Sequence, residues 1–228
     1  MTLDILSHLH SLADPVRAKH SLRFFKTGVG EYGEGDQFLG LTNPQIRDTV
    51  GRYWRDTTLD DSVKLLHSPL HEVRLTGLLI LVTKYQHKQD QDKIYSLYLE
   101  NTTYINNWDL VDLTAHKIVG HYLLSRPRDI LYQLARSDSL WERRISIIST
   151  FTFIKQHDYT DAIKLATILL HDPQDLINKA VGWVLREVGK ADLPTLIKFL
   201  DTHAASMPRT MLRYSIEKLD PKTRQGYL

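Results

Sequence analysis

The chain has 228 residues, 42% of them apolar and 25% charged, with a formal net charge of +2 and no cysteine. Those proportions belong to ordinary soluble proteins rather than disordered or membrane chains, and the lack of cysteine excludes disulfides, thiolate zinc sites and cysteine nucleophiles. No apolar run approaches the roughly 18–20 residues of a membrane span. The N-terminus MTLDILSHLHSLADP has neither the basic region nor the small-residue cleavage site of a signal peptide, so a cytoplasmic protein without membrane contact is expected. Positive charge is slightly concentrated late in the chain: residues 1–100 carry 12 Lys/Arg against 13 Asp/Glu, and residues 101–228 carry 17 against 14.

In chain order, the spacing of apolar residues predicts helices of about 10–18 residues throughout, with almost no strand-like alternation. Asp14-Pro15, Asn43-Pro44, Ser68-Pro69, Arg126-Pro127 and Asp172-Pro173 each suit a helix start with proline in the first turn. The segment from Thr27 to Asp36, extended to 27–37 as a Gly-rich acidic loop, holds four glycines and three acids and must be irregular. Its Gly28, Gly30 and Gly33 mimic a dinucleotide fingerprint by spacing. No strand precedes them, however, and the acids would repel phosphate.

From residue 71 onward a pattern recurs about every 35 residues. His71-Glu72-Val73-Arg74, Asn106-Asn107-Trp108-Asp109, Trp141-Glu142-Arg143-Arg144 and Ile177-Asn178-Lys179-Ala180 each open a long apolar helix. Shorter helices precede them at Asp60 to Ser68, Gln91 to Glu100, Pro127 to Ser137 and Tyr159 to His171. A short helix, a break and a long helix at fixed period predict a single all-α domain over 1–228, a solenoid of antiparallel HEAT-like helix pairs with a concave face suited to a rod-like partner.

Some residues do not behave as core. In the helix expected from Gln174 to Gly189, Ile177, Val181, Val184 and Val188 form the buried stripe. Trp183 falls on the opposite face with Lys179, Arg186 and Lys190, where it either packs on a neighbouring repeat or awaits a ligand. In the helix expected from Asn107 to Leu124, Asp112 sits among apolar residues one turn after Trp108. Its carboxylate needs a partner there, and His116, four residues on, is the local candidate. Asp109 reads as a first-turn acid that complements the helix dipole. Arg144 leans toward an aliphatic side and wants an anion, either a protein carboxylate or a phosphate. The eleven histidines show no metal-ligand spacing, and no cofactor fingerprint is present, so neither metal nor cofactor is expected.

The strings Asn107-Trp108-Asp109-Leu110-Val111-Asp112, Trp141-Glu142-Arg143-Arg144 and Lys179 to Glu187, together with Phe38-Leu39-Gly40-Leu41 and Asn43-Pro44-Gln45-Ile46-Arg47, resemble the AlkD-type DNA alkylation repair family over roughly the whole chain. The resemblance implies a HEAT-like glycosylase that binds double-stranded DNA as a monomer and hydrolyses the N-glycosidic bond of cationic alkylated purines such as N3-methyladenine and N7-methylguanine. Carried over residue by residue, it implies Asp112, Trp108 and Trp183 as catalytic residues and Arg144 as a DNA contact; Lys179, Arg186 and Lys190, the cations on the Trp183 face, are expected to bind DNA as well. In the family an N-terminal helix with aromatic and basic residues presses on the DNA. Here Arg23-Phe24-Phe25-Lys26 runs straight into the acidic loop, so that element is expected to be shortened, displaced or absent, and a non-catalytic module that reads DNA shape is the alternative.

Overall fold

The computed structural model describes residues 1–228, and they are helical with no strand; the only β pairing is an isolated bridge between Gln37 and Leu70. No helix is long and apolar enough to cross a membrane. The chain packs as two compact units, Met1–Leu110 and Val111–Leu228.

The first unit contains α1 (Thr2–Ser11), α2 (Pro15–Phe24), α3 (Asn43–Tyr53), α4 (Leu59–Leu66), α5 (His71–Gln86) and α6 (Gln91–Glu100). Its centre is α5, whose sequence is apolar on nearly every face and which is accordingly buried along most of its length between α3, α4 and α6. The Phe-Leu-Gly-Leu string is explained here. Buried Glu72 accepts the backbone N–H groups of Leu39, Gly40 and Leu41 at 2.9, 2.8 and 3.2 Å. Gly40 has φ +81°, and a Cβ there would lie 2.2 Å from the Asp14 carbonyl oxygen, so only glycine permits this crossing.

Two features of the N-terminal region add to what its sequence suggests. The helix before the acidic loop is neither absent nor shortened to a stub: α2 spans ten residues, capped by Asp14, whose carboxylate accepts from Val16 and Arg17 N–H at 2.9 and 3.0 Å. It buries no residue, and Arg17, Lys19 and Arg23 stay exposed. The loop turns one of its three acids inward, while Glu31 and Glu34 stay exposed. Glu31 and Glu34 bend back to accept the Gly28 and Gly30 N–H groups at 2.9 and 2.8 Å, and Asp36 is buried.

Helix α7 (Trp108–Ala115) begins in the first unit and continues into the second, which adds α8 (Asp129–Leu134), α9 (Leu140–Ser149), α10 (Phe151–Ile154), α11 (Thr160–Ile168), α12 (Asp175–Ala191), α13 (Leu193–His203), α14 (Arg209–Ser215) and α15 (Pro221–Gln225). The long helices of the 35-residue pattern start at His71, Trp108, Leu140 and Asp175. Prolines 69, 127 and 173 precede their helices by two residues instead of sitting in the first turn, leaving Leu70, Arg128 and Gln174 as the caps. The α12 stripe lies as its periodicity dictates, with Ile177, Val181, Val184 and Val188 fully buried. Gly182 is packed against α14; a Cβ there would come within 2.5 Å of Tyr214 Cβ.

The helix expected from Asn107 to Leu124 changes pitch. After Ala115 it opens into a π-helical turn, His116–Gly120, in which the His116 carbonyl accepts the N–H of His121, five residues on. The same carbonyl accepts the Thr152 hydroxyl, and Gly120 lets the Ser149 carbonyl approach to where a Cβ would be 2.2 Å away. Such π turns occur as single-turn insertions in α-helices, often at functional sites.

Candidate functional site

In the second unit a cavity of about 480 Å³ is lined by Asp112 and His116 from α7 and the π turn, by Phe151 and Lys155 at α10, and by Trp183 and Lys190 from α12. Asp112 is not paired through its side chain with His116. Both of its oxygens are taken by Arg144, Nε to Oδ1 at 2.8 Å and Nη2 to Oδ2 at 2.7 Å. Arg144, only 5% exposed, also donates from Nη1 to the Leu176 carbonyl at 2.5 Å. Of the two anions the sequence allowed it, Arg144 takes the carboxylate. The bidentate fork fixes the position of Asp112 and gives its carboxylate a cationic partner.

His116 is the opposite kind of residue. Its Nδ1 is buried without a hydrogen-bond partner. Burial, followed by the nearby charges of Lys117 and Lys155, pushes its pKa down to about 4, so the ring is neutral at physiological pH. Trp183 is partly exposed and packs on Phe151 with ring centroids 4.6 Å apart at 57°. That contact realises the packing alternative for one side of the indole, while Trp183 still lines the cavity. Of the three cations on its helix face, only Lys190 reaches the cavity. Lys190 pairs with Glu187 at 2.7 Å, Lys179 pairs with Asp175 at 2.8 Å, and Arg186 pairs with Glu217.

Trp108 lies in the first unit, where its indole stacks on Phe25 at 5.6 Å and 21° and meets Phe24 edge-on at 6.0 Å. Phe25 in turn stacks on Phe38 at 5.0 Å and contacts the His71 ring at 4.7 Å. Beneath these rings is a buried charge cluster. His71 donates to Asp36 from Nδ1 at 3.1 Å and to Asp109 from Nε2 at 2.8 Å. Asp36 also accepts from Arg74 and, at 3.0 Å, from Asn107. Burial opposes a charge on His71, but hydrogen bonds to two carboxylates prevail and raise its pKa to about 9. Asp36 is held below the usual carboxylate range despite its burial, by His71, Arg74 and Asn107. Asp109 is thus structural, as its first-turn position suggested, with a specific partner that helix-dipole reasoning did not supply.

Residues that sequence reasoning missed are Phe151, Lys155 and His157 around the cavity and His71 beneath Trp108. Phe151 could not have been found from periodicity, because it follows the junction of α9 and α10, where the phase shifts.

A family model described as DNA alkylation repair enzyme matches residues 5–219. Among solved structures, one described as a predicted DNA alkylation repair enzyme from Enterococcus faecalis is similar, at 14% identity with a TM-score of 0.74, over 92% of this chain and 97% of that one. That identity speaks for the fold alone, an all-α HEAT-type arrangement. Curated protein sequences give no significant match. With a family model spanning nearly its full length, the chain belongs to the DNA alkylation repair enzyme family.

Proposed function

We propose that this chain is a glycosylase-like hydrolase that releases cationic alkylated purines, N3-methyladenine and N7-methylguanine, from duplex DNA. The observation that carries the reading is the cavity in which Asp112, rigidly held by Arg144, lies alongside the partly exposed ring of Trp183. In the reaction the bond from C1′ to the base nitrogen breaks, its electron pair neutralises the departing cation, and water adds to C1′ with loss of a proton to solvent. A cationic base leaves without a strong general acid. What the enzyme must supply is stabilisation of the positive charge that grows on the sugar. Asp112 provides it electrostatically, and the π face of Trp183 favours a cation beside it. Arg144 acts by holding the carboxylate in place, in keeping with its burial. Lys179, Arg186 and Lys190 contribute to phosphate contact, since exposed ion pairs of the kind they make are weak enough for a phosphate to displace the carboxylate.

The test is release of free base from N7-methylguanine duplex by wild type and Trp183→Ala, with binding measured in parallel. Release above the spontaneous rate that falls with the variant supports the hydrolase. Salt-dependent binding of duplex without release would instead make the chain a non-catalytic DNA-binding module.

A further inference from the structure

The cavity at Asp112 and Trp183 reaches the turn between α10 and α11 at His157. A second cavity of about 530 Å³ begins there, walled by α11 and α13, and His157 lines both. His157 stands in this turn with φ +59° and shares a 3.0 Å hydrogen bond with the Tyr159 hydroxyl. Exposed Lys155 and Lys190 line the first cavity, exposed Lys164 and Lys198 the second, and the Phe199 and His203 rings, 4.6 Å apart, lie on the wall of the second.

The charges along this path are unbalanced. Every carboxylate that lines it already has a cation: Asp112 has Arg144, Asp158 has Arg128 at 2.6 Å, and Glu187 has Lys190. Lys155, Lys164 and Lys198 make no ion pair or side-chain hydrogen bond. Three uncompensated ammonium groups collected along adjoining concavities repel one another and attract a polyanion.

We propose that this path is a docking track for a phosphodiester strand. The strand that leaves the cavity at Asp112 crosses the turn at His157, and its following phosphates are held by Lys164 and Lys198. The partly exposed His203 ring, backed by buried Phe199, gives a sugar or base an edge to rest against. The inference rests on the hydrolase reading, because it extends the substrate beyond the reacting nucleotide.

The experiment compares wild type with the double variant Lys164→Gln/Lys198→Gln on two N7-methylguanine duplexes, one continuing about ten base pairs on each side of the lesion and one trimmed close to it. Lys93→Gln/Lys222→Gln removes the same charge elsewhere. On the long duplex the track variant should bind about 10- to 100-fold more weakly near 0.1 M salt, with a salt dependence shallower by about two counterions. On the trimmed duplex its affinity and base release should equal those of wild type. Affinity and salt slope on the long duplex matching wild type or the control variant would overturn the track while leaving base release intact. Displacement of both duplexes alike by ATP would assign the lysines to small phosphates and likewise overturn the strand. If wild type bound neither duplex, the hydrolase reading would fall with it.

Discussion

The two units use buried ionisable groups in opposite ways. Before Leu110, the cluster of Asp36, His71, Arg74, Asn107 and Asp109 satisfies both ring nitrogens of His71 with carboxylates and leaves only Arg74 Nε without a partner. It carries a protonated histidine and lies under packed rings. After Val111, Asp112 and Arg144 form a pair that borders open space, and the adjacent histidine is neutral with an unsatisfied nitrogen. A closed network rigidifies, whereas an open one leaves chemistry available. The first unit fixes the start of α7 through Asp109 and His71, and the second holds the carboxylate proposed to react.

The largest expected effect that sharpens this contrast is Arg144→Ala. It would strand Asp112 in a half-buried setting and should cost about 3 kcal/mol or more, read as a shift in denaturant midpoint. A loss below about 1 kcal/mol would mean that the pair is effectively solvated. Next is Gly182→Ala, which forces α14 off α12 and should cost about 1–3 kcal/mol; an unchanged midpoint would show that the helices can slide apart freely.

The pH dependence follows from the two histidines. His71 is raised above its unfolded value, so the native state holds the extra proton between about 6.5 and 9 and stability falls as pH rises through that window. His116 is lowered, so the unfolded state holds the extra proton between about 4 and 6.5 and stability falls as pH drops through it. Each contributes a slope of at most about 1.4 kcal/mol per pH unit. His71→Gln should flatten the alkaline side and His116→Gln the acidic side, whereas the same side affected by both would break the contrast. Smallest of all, Lys179→Ala removes an exposed pair and should move stability by less than about 0.5 kcal/mol.

Much of the helical arrangement was legible because apolar spacing and the recurring start signals act locally. The α12 stripe followed directly from a 3.6-residue period, and the repeat placed helix openings at 71, 106, 141 and 177, within two residues of the observed starts at 71, 108, 140 and 175. The lost features depend on contacts distant in sequence. Arg144 meets Asp112 across 32 residues, so local reasoning paired the carboxylate with His116 instead. Asp36 reads as a surface acid in a Gly-rich loop until Arg74 and Asn107, 38 and 71 residues away, are seen to bury it. The π turn at His116 depends on Thr152 and on the approach of Ser149, neither of which has a signature in the helix they distort.

The measurement that tests the central claim most directly is single-turnover release of N7-methylguanine from duplex DNA by wild type and Asp112→Asn, with duplex binding and thermal stability checked for both. The account predicts release well above the spontaneous rate for wild type, at least about 100-fold slower release for Asp112→Asn, and near-equal binding, since a carboxylate that stabilises developing charge acts in the transition state. Equal release rates for the two proteins, or none from either while both bind the duplex, would contradict it.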